Sequence, residues 1–274
     1  MVNDSDGHTL IELVIAMALA AILMTAIYQT HQIRQKSHVR QQLAVEMQQN
    51  IRAVISLMKR EIRMAGYDPA ANDGRDSDND NIIDNVEESA GTGIHVAGRS
   101  IIQISFDNNA NRKIAPSERI TYGFAKAYDA DSDGIADDGA APVGRRAGAG
   151  SLMPVAEHIQ AVGFAYAFDS DDDGILNTED GTADGKIIWA YDSDINDEND
   201  QLTTNLATGS PLVAPVELSD VRAVRIWILA RTRTPIRGHF DNHTYKVGDR
   251  TIKSADRYPR RLIRTTVQCR NMPL

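Results

Sequence analysis

Three acidic stretches hold the residues whose spacing suits them best to chemistry. In Asp76-Ser77-Asp78-Asn79-Asp80-Asn81-Ile82-Ile83-Asp84-Asn85-Val86-Glu87, side-chain oxygens stand at positions 1, 3, 5, 9 and 12 of a loop: Asp76, Asp78, Asp80, Asp84 and Glu87. Asp169, Asp171, Asp173, Asn177 and Asp180 repeat that spacing, with Gly174 and Ile175 at the turn. Asp129, Asp131, Asp133 and Asp137 repeat it as far as position 9, with Gly134 and Ile135 at the turn and Ala140, which has no ligand atom, at position 12. The chemistry this predicts is binding of a hard cation. Ca²⁺ takes roughly six to eight oxygens, and alternation lets one tight loop aim successive carboxylates inward while the residue at position 6 makes the turn. The residue at position 7, here Ile82, Ile135 or Ile175, then offers its backbone carbonyl. Two to three Ca²⁺ ions are expected.

A solvated acidic linker is the plainer explanation of such stretches. It would not need the interior isoleucines or the repeated spacing. The loops resemble thrombospondin type 3 and EF-hand-like loops outside helical pairs. Asn81 replaces the glycine in the first loop, which is tolerable because asparagine enters left-handed conformations readily. Asp192-Ser193-Asp194-Ile195-Asn196 starts the pattern without completing it and is expected to be a turn. The uneven spacing of the loops argues against a solenoid repeat. With one cysteine, Cys269, the chain has no internal disulfide framework, so metal staples would supply the missing cross-links.

The elements that must hold these loops follow from hydrophobic periodicity. Ile102, Ile104 and Phe106 alternate with polar residues, as do Ile120, Tyr122 and Phe124, then Val162, Phe164, Tyr166 and Phe168. They predict half-buried strands. Lys186 to Tyr191 is a shorter candidate, Val224 to Arg231 a longer one, and Ile263, Thr265, Val267 and Cys269 a last strand with the cysteine on the apolar face. The net charge of -9 is segregated: residues 68–200 hold 28 Asp or Glu against 9 Lys or Arg, and residues 221–274 hold 3 against 13. Because the tail arginines alternate with apolar residues instead of clustering, a solvated sheet face pairing with the acidic middle is expected, and no nucleic-acid partner is predicted. His239-Phe240-Asp241-Asn242-His243 lacks a third ligand at zinc spacing and is expected to be a surface loop. No phosphate loop, nucleophile elbow or nucleophile with a partner is present, and no enzyme is expected.

Upstream, Leu43, Met47, Ile51, Val54, Met58, Ile62 and Ala65 recur at steps of three and four, the signature of one helical face. No proline precedes Pro69, and no glycine stands between Gly7 and Gly66. One helix is therefore predicted from about His8 to Met64, roughly 85 Å long at 1.5 Å per residue. From Val14 to Tyr28 it is apolar and uncharged, about enough with its flanks to cross a bilayer. A carboxylate at the start of such a helix, Glu12, is costly in a membrane and calls for a function.

Gly7-His8-Thr9-Leu10-Ile11-Glu12-Leu13, followed by this apolar run, resembles the class III signal of type IV pilins and type II secretion pseudopilins. His8 stands where the family usually has Phe, and the leader is acidic. Arg60-Glu61-Ile62-Arg63-Met64-Ala65-Gly66-Tyr67, Val224 to Arg233 and Arg260 to Val267 look like PilW-family minor pilins. The resemblance implies an α+β, type IV pilin-like fold, with a long N-terminal helix packed on an antiparallel β-sheet head that carries acidic loop insertions. It implies a leader over 1–7, a transmembrane and filament-core helix over 8–28, the amphipathic half of that helix over 29–66 and the head over 67–274. It further implies cleavage after Gly7, methylation of His8, and Glu12 setting register in assembly. The implied function is that of a minor pilin, a structural subunit that primes or caps a filament. It would sit in the bacterial inner membrane, single-pass with its head in the periplasm, before joining the pilus or pseudopilus. Implied partners are other minor and major pilins, a prepilin peptidase, the inner-membrane assembly platform and a PilY-type tip adhesin. A J-type pseudopilin and a membrane-anchored calcium-dependent binding protein that never polymerises stay open as alternatives.

Overall fold

The computed structural model describes residues 9–68, 93–111, 113–194 and 200–272. Gly7, His8 and the whole Asp76 to Glu87 loop, with its Asp76, Asp78, Asp80, Ile82, Asp84 and Glu87 ligand set, lie outside the described residues. The first element is a single helix, α1 (Leu10–Met64), of 55 residues. The chain divides into two compact units that meet between Glu46 and Met47, within α1.

In the first unit the helix exposes an apolar surface all round. Leu10–Gln32, 23 residues, is long and apolar enough to cross a membrane, and none of it is buried. At 1.5 Å per residue it spans about 35 Å, against a hydrocarbon core of about 30 Å.

In the second unit, Met47, Ile51, Val54, Met58 and Ile62 on the remaining length of α1 join one buried cluster with Ile102, Ile104, Tyr122, Val143, Phe164, Ile226 and Val267. Each fully buried aliphatic side chain here contributes about 1.5 to 3 kcal/mol. The helix stops at Gly66, whose φ of +81° is the left-handed conformation that glycine adopts without strain. A Cβ there would lie 2.3 Å from the Asn271 carbonyl oxygen, so the site excludes any side chain. The Asn271 amide in turn donates to the Arg63 carbonyl at 2.9 Å, satisfying one of the helix's orphan acceptors.

Among the described residues the sheet has ten strands, all paired antiparallel. Four come first, β1 (Gly93–Ala97), β2 (Ile102–Ser105), β3 (Arg119–Phe124) and β4 (Ala141–Ala147), each paired to the next. The 16-residue β5 (Met153–Phe168) then changes partner along its length. Its first part pairs with β4 and its remainder with β9 (Val221–Arg231), which is flanked by β12 (Arg260–Gln268). The change falls at an irregularity between Ile159 and Ala161, just after His158, which has a φ of 58°. Such a bulge bends a strand and re-aims it. β6 (Ala190–Tyr191), β7 (Gln201–Asn205) and β8 (Pro211–Glu217) extend the sheet from Tyr166, and β10 (Thr244–Val247) pairs with β11 (Arg250–Lys253) as a separate hairpin.

Several expectations are corrected. Phe106 falls beyond the end of β2, and Lys186 to Tyr191 yields only the two residues of β6 plus a bridge from Ile187 to Thr178. The larger correction concerns the second face of β9, expected to be solvated. Trp227 and Leu229 are buried there with Ala161, Ala165, Ala167, Trp189, Val247 and Ile252, and Ile135, Leu176 and Ile187 pack against them. The reason lies in β5, whose residues on this face are Ala161, Gly163, Ala165 and Ala167, small enough for the acidic-loop hairpins and β10–β11 to press close. Cys269 lies in the core as expected, and burial pushes its thiol up to about 12.

One charged group is buried on the helix side. Glu61, 6% exposed, receives Arg145 Nη2 at 2.9 Å and Nε at 3.0 Å, and the Tyr122 hydroxyl donates to the same carboxylate. Burial, then Glu61, pushes the Tyr122 phenol well above its ordinary range, so it stays a donor. These bonds bolt α1 to β3 and β4.

Candidate functional site

The two described acidic loops leave the sheet at different places, one between β3 and β4 and one directly after β5, yet they close through the same bonds. At position 1, Asp129 Oδ2 accepts from the Gly134 N–H at 2.8 Å, and Asp169 Oδ2 from the Gly174 N–H at 2.9 Å. The position 5 carboxylates, Asp133 and Asp173, accept from the Ile135 and Ile175 N–H at 2.6 and 2.7 Å. At position 9, Asp137 and Asn177 accept from the N–H of position 2, Ala130 and Ser170, at 3.0 and 2.9 Å. Position 4 is left-handed in both (Ser132, φ 58°; Asp172, φ 54°), and so is position 6 (Gly134, 78°; Gly174, 82°). The sequence folds this way because short polar side chains and glycine tolerate those angles while Asp carboxylates cap nearby N–H groups.

This closure gathers Asp129, Asp131 and Asp133 into one cluster and Asp169, Asp171 and Asp173 into another, each with carboxylate oxygens within 4.8 Å of one another. Three negative charges that close are unfavourable without a cation. Burial, with Asp131 and Asp133 alongside, pushes Asp129 up to about 6, and the charge of Asp173 raises Asp171. Asp169 is only 1% exposed, and its Oδ1 has no hydrogen-bond partner among the described residues. A buried carboxylate oxygen left unsatisfied beside two further carboxylates is costly unless something positive meets it. The donor set, all oxygen with a tight backbone turn, fits a hard divalent cation.

The remaining expected ligands are placed as follows. Asp180 is not gathered into the cluster; its carboxylate accepts from the Thr182 N–H and hydroxyl at 3.2 and 3.0 Å within its own turn. Ile135 packs against the back-face core, but Ile175 is 44% exposed and Leu176 takes the packing position instead. Asp192 is buried and bridges Gly98, and its carboxylate accepts from the Asp194 N–H at 2.9 Å.

Sequence reasoning missed Arg250. Its guanidinium donates to the Asp133 carbonyl inside the first loop, to Val162 O at 3.0 Å and to Arg99 O at 3.2 Å, while Nε reaches Val247 O at 3.3 Å. One side chain thus ties the loop, β5 and the β10–β11 hairpin together, over Gly163, where a Cβ would lie 2.7 Å from Nη2. Apart from the neighbouring Asp249 carboxylate, 3.4 Å from Nε, its partners are backbone carbonyls, so no residue type in the sequence signals the contact to the loop and β5. Arg222 shows the expected pairing between basic tail and acidic middle, meeting Asp172 at 2.9 Å.

The His239 to His243 segment is an exposed loop as expected, with Phe240 64% exposed, and one of its residues turns inward. Asp241 is 2% exposed and accepts from His243 Nδ1 at 2.8 Å, the Tyr245 hydroxyl at 3.0 Å and Arg260 Nη1 at 3.2 Å, while Arg260 also grips Asp256. Burial alone would raise Asp241, but the bonds from His243, Tyr245 and Arg260 outweigh it and hold its carboxyl well below the usual range; Arg260 likewise depresses Asp256. Groups with depressed folded values stabilise the protein above their unfolded pKa of about 4, and that contribution is lost as pH falls through the folded values. Urea midpoints should therefore drop steeply from about pH 5 to pH 2 in the native chain, and the slope should flatten in Asp241→Asn.

At the N-terminal end, the Thr9 N–H and hydroxyl both donate to Glu12 Oε2, at 2.8 and 3.0 Å, and the Glu12 N–H meets Thr9 Oγ1 at 3.4 Å. This is a reciprocal capping box, and the Thr-x-x-Glu spacing is its sequence signal. It leaves Glu12 Oε1 without a partner in the cap.

Residues 139–271 match the family model described as Type IV Pilus-assembly protein W. That match begins just before β4 and ends after β12, so the PilW-like region takes in most of the sheet and the second acidic loop. Residues 3–28 match the prokaryotic N-terminal methylation motif, which spans Gly7, His8 and Glu12. No curated protein matches the chain. Among solved structures, a type IV-like pilin from Thermus thermophilus is similar at 17% identity and a TM-score of 0.42, over 82% of this chain and 96% of that one. The PilW-like chain has an α+β, type IV pilin-like fold: one long helix, apolar first and then packed on an antiparallel sheet with loop insertions.

Proposed function

We propose that this chain is a minor pilin that primes or caps filament assembly and is stabilised by Ca²⁺. The observation that carries the reading is the union in one chain of a methylation-motif helix start containing Glu12 with a PilW-like head. On this reading residues 1–7 are a leader removed after Gly7, His8 becomes the methylated N-terminus, 8–28 lie in the membrane and then in the filament core, 29–66 continue the helix, and 67–274 form the head. The protein waits in the inner membrane with its head in the periplasm, is processed by a prepilin peptidase and is extracted by the assembly platform to join other pilins, with a PilY-type adhesin at the tip. The exposed apolar surface from Leu10 to Tyr28 supports this, because it needs lipid or neighbouring helices to cover it. Glu12 Oε1, which has no partner among the described residues of the cap, supports a role in register toward a neighbour's α-amino group.

The loops at Asp129 and Asp169 would each hold one Ca²⁺ through Asp129, Asp131, Asp133 and the Ile135 carbonyl, and through Asp169, Asp171, Asp173 and the Ile175 carbonyl. Asp137 and Asn177 would brace the loops, and the Asp76 loop is a third candidate. When bound, the ion neutralises each carboxylate cluster and fixes its hairpin over the back face of the sheet.

The test is Glu12→Ala in the native strain. Surface filaments, counted by electron microscopy, should be lost or fall about tenfold while the protein still accumulates in the inner membrane; a drop in secreted substrates instead would assign it to a secretion pseudopilus. Normal filaments and normal secretion in that strain would sink the assembly reading.

A further inference from the structure

The ten-stranded sheet has three edges: β1, β8 and β12. Two are guarded. β1 is short, carries an irregularity between Ile94 and Val96, and gives its Ala97 carbonyl to the Asp192 N–H, while β8 contains Pro211 and Pro215. β12 has none of these devices. It pairs with β9 in unbroken register from Arg260–Arg231 to Gln268–Ala223, with no proline and no bulge.

The direction of its backbone groups follows from the flanking bonds. Cys269 N–H donates to Arg222 O, and Thr232 N–H to Pro259 O, so the odd-numbered residues of this register bond to β9. Leu262, Arg264, Thr266 and Gln268 therefore aim their N–H and C=O groups away from the sheet. Among the described residues nothing pairs with them, and Arg261, Arg264, Thr266 and Gln268 are exposed. A long, regular, unpaired edge is a ready template for strand addition.

Charge decides what can add. Arg261 and Arg264 are exposed on the two faces of the edge, with half-buried Leu262 and Ile263 between them. Full antiparallel overlap of two copies of β12 would set Arg264 against its own copy, and directly opposed like charges are destabilising. A strand with carboxylates opposite these arginines and apolar residues between them gains at each of the same positions. We infer that the outer edge of β12 is a docking edge for an extended, acid-bearing strand of a different protein chain. Among the described residues the edge is open whether or not the chain polymerises, so this inference and the pilin reading fail separately.

The test uses the full chain in detergent micelles and a fluorescein-labelled nine-residue peptide of alternating Glu and Val, with a Lys-for-Glu counterpart, followed by anisotropy at low salt. The acidic peptide should bind at least about tenfold more tightly than the basic one, and Arg264→Glu should invert that order. Thr266→Pro removes an outward N–H without touching the β9 ladder; it should weaken the acidic peptide about tenfold while the thermal midpoint stays put. Equal binding of the two peptides, or undiminished binding by Thr266→Pro at an unchanged midpoint, would overturn the inference. A concentration-dependent dimer abolished by Thr266→Pro would also overturn it, in favour of a second copy.

Discussion

Arg145→Leu should destabilise the head by about 3 kcal/mol, because it leaves the Glu61 carboxylate beneath α1 with the Tyr122 hydroxyl as its hydrogen-bond partner and only the exposed Arg60, 4.0 Å away, as a counter-charge. Glu61 is 6% exposed, so little of its carboxylate can be solvated in place of the guanidinium bonds. The loss should appear as a lower urea midpoint with an unchanged slope. Glu61→Gln combined with Arg145→Leu should recover a large part of it, since the neutral amide no longer demands a counter-charge. If the single variant costs under about 1 kcal/mol, the ion pair is solvated and the bolt between helix and sheet is not what holds α1 down.

Adding about 1 mM Ca²⁺ to chelator-treated protein should raise its thermal midpoint by about 5 to 10 °C. For a site of about 10 μM affinity that concentration is about 100 times Kd, worth about 2.7 kcal/mol, and a domain of this size shifts about 2 to 4 °C per kcal/mol. Asp169→Asn should remove part of the response, because Asp169 supplies the buried oxygen that has no other partner. Asp180→Asn should leave it intact, because that carboxylate is held by Thr182. Coincident melting curves in Ca²⁺ and in chelator would eliminate the staple reading while leaving the pilin reading untouched.

Legibility in the sequence tracked the range of the interaction. The helix was readable to its last turn because periodicity and Gly66 are local signals, and Ile102, Ile120 and Phe164 marked their strands by simple alternation. The two acidic loops were readable because their closing bonds join residues at most seven apart, as Asp137 joins Ala130. Features that depend on distant chain were hidden. The covered face of β9 depends on the small residues of β5 and on hairpins from three other segments. Arg250 acts through carbonyls up to 151 positions away. Within the loops, spacing alone also misjudged Ile175 and Asp180. Position 7 packs only if the neighbouring backbone turns it inward, and position 12 ligates only if the chain returns to the cluster, whereas here a following turn claims Asp180.

The contact between Gly66 and Asn271 carries a consequence for the order in which the molecule can be completed. The exit of α1 is sealed by residues far downstream in the chain, with Asn271 on the Arg63 carbonyl and Met272 buried in the core beyond it. Any chain that emerges vectorially must therefore hold its helix end open through the synthesis of some 200 residues. Closure of the clasp then reports that synthesis has passed Met272, which distinguishes a head complete through β12 from one truncated before it.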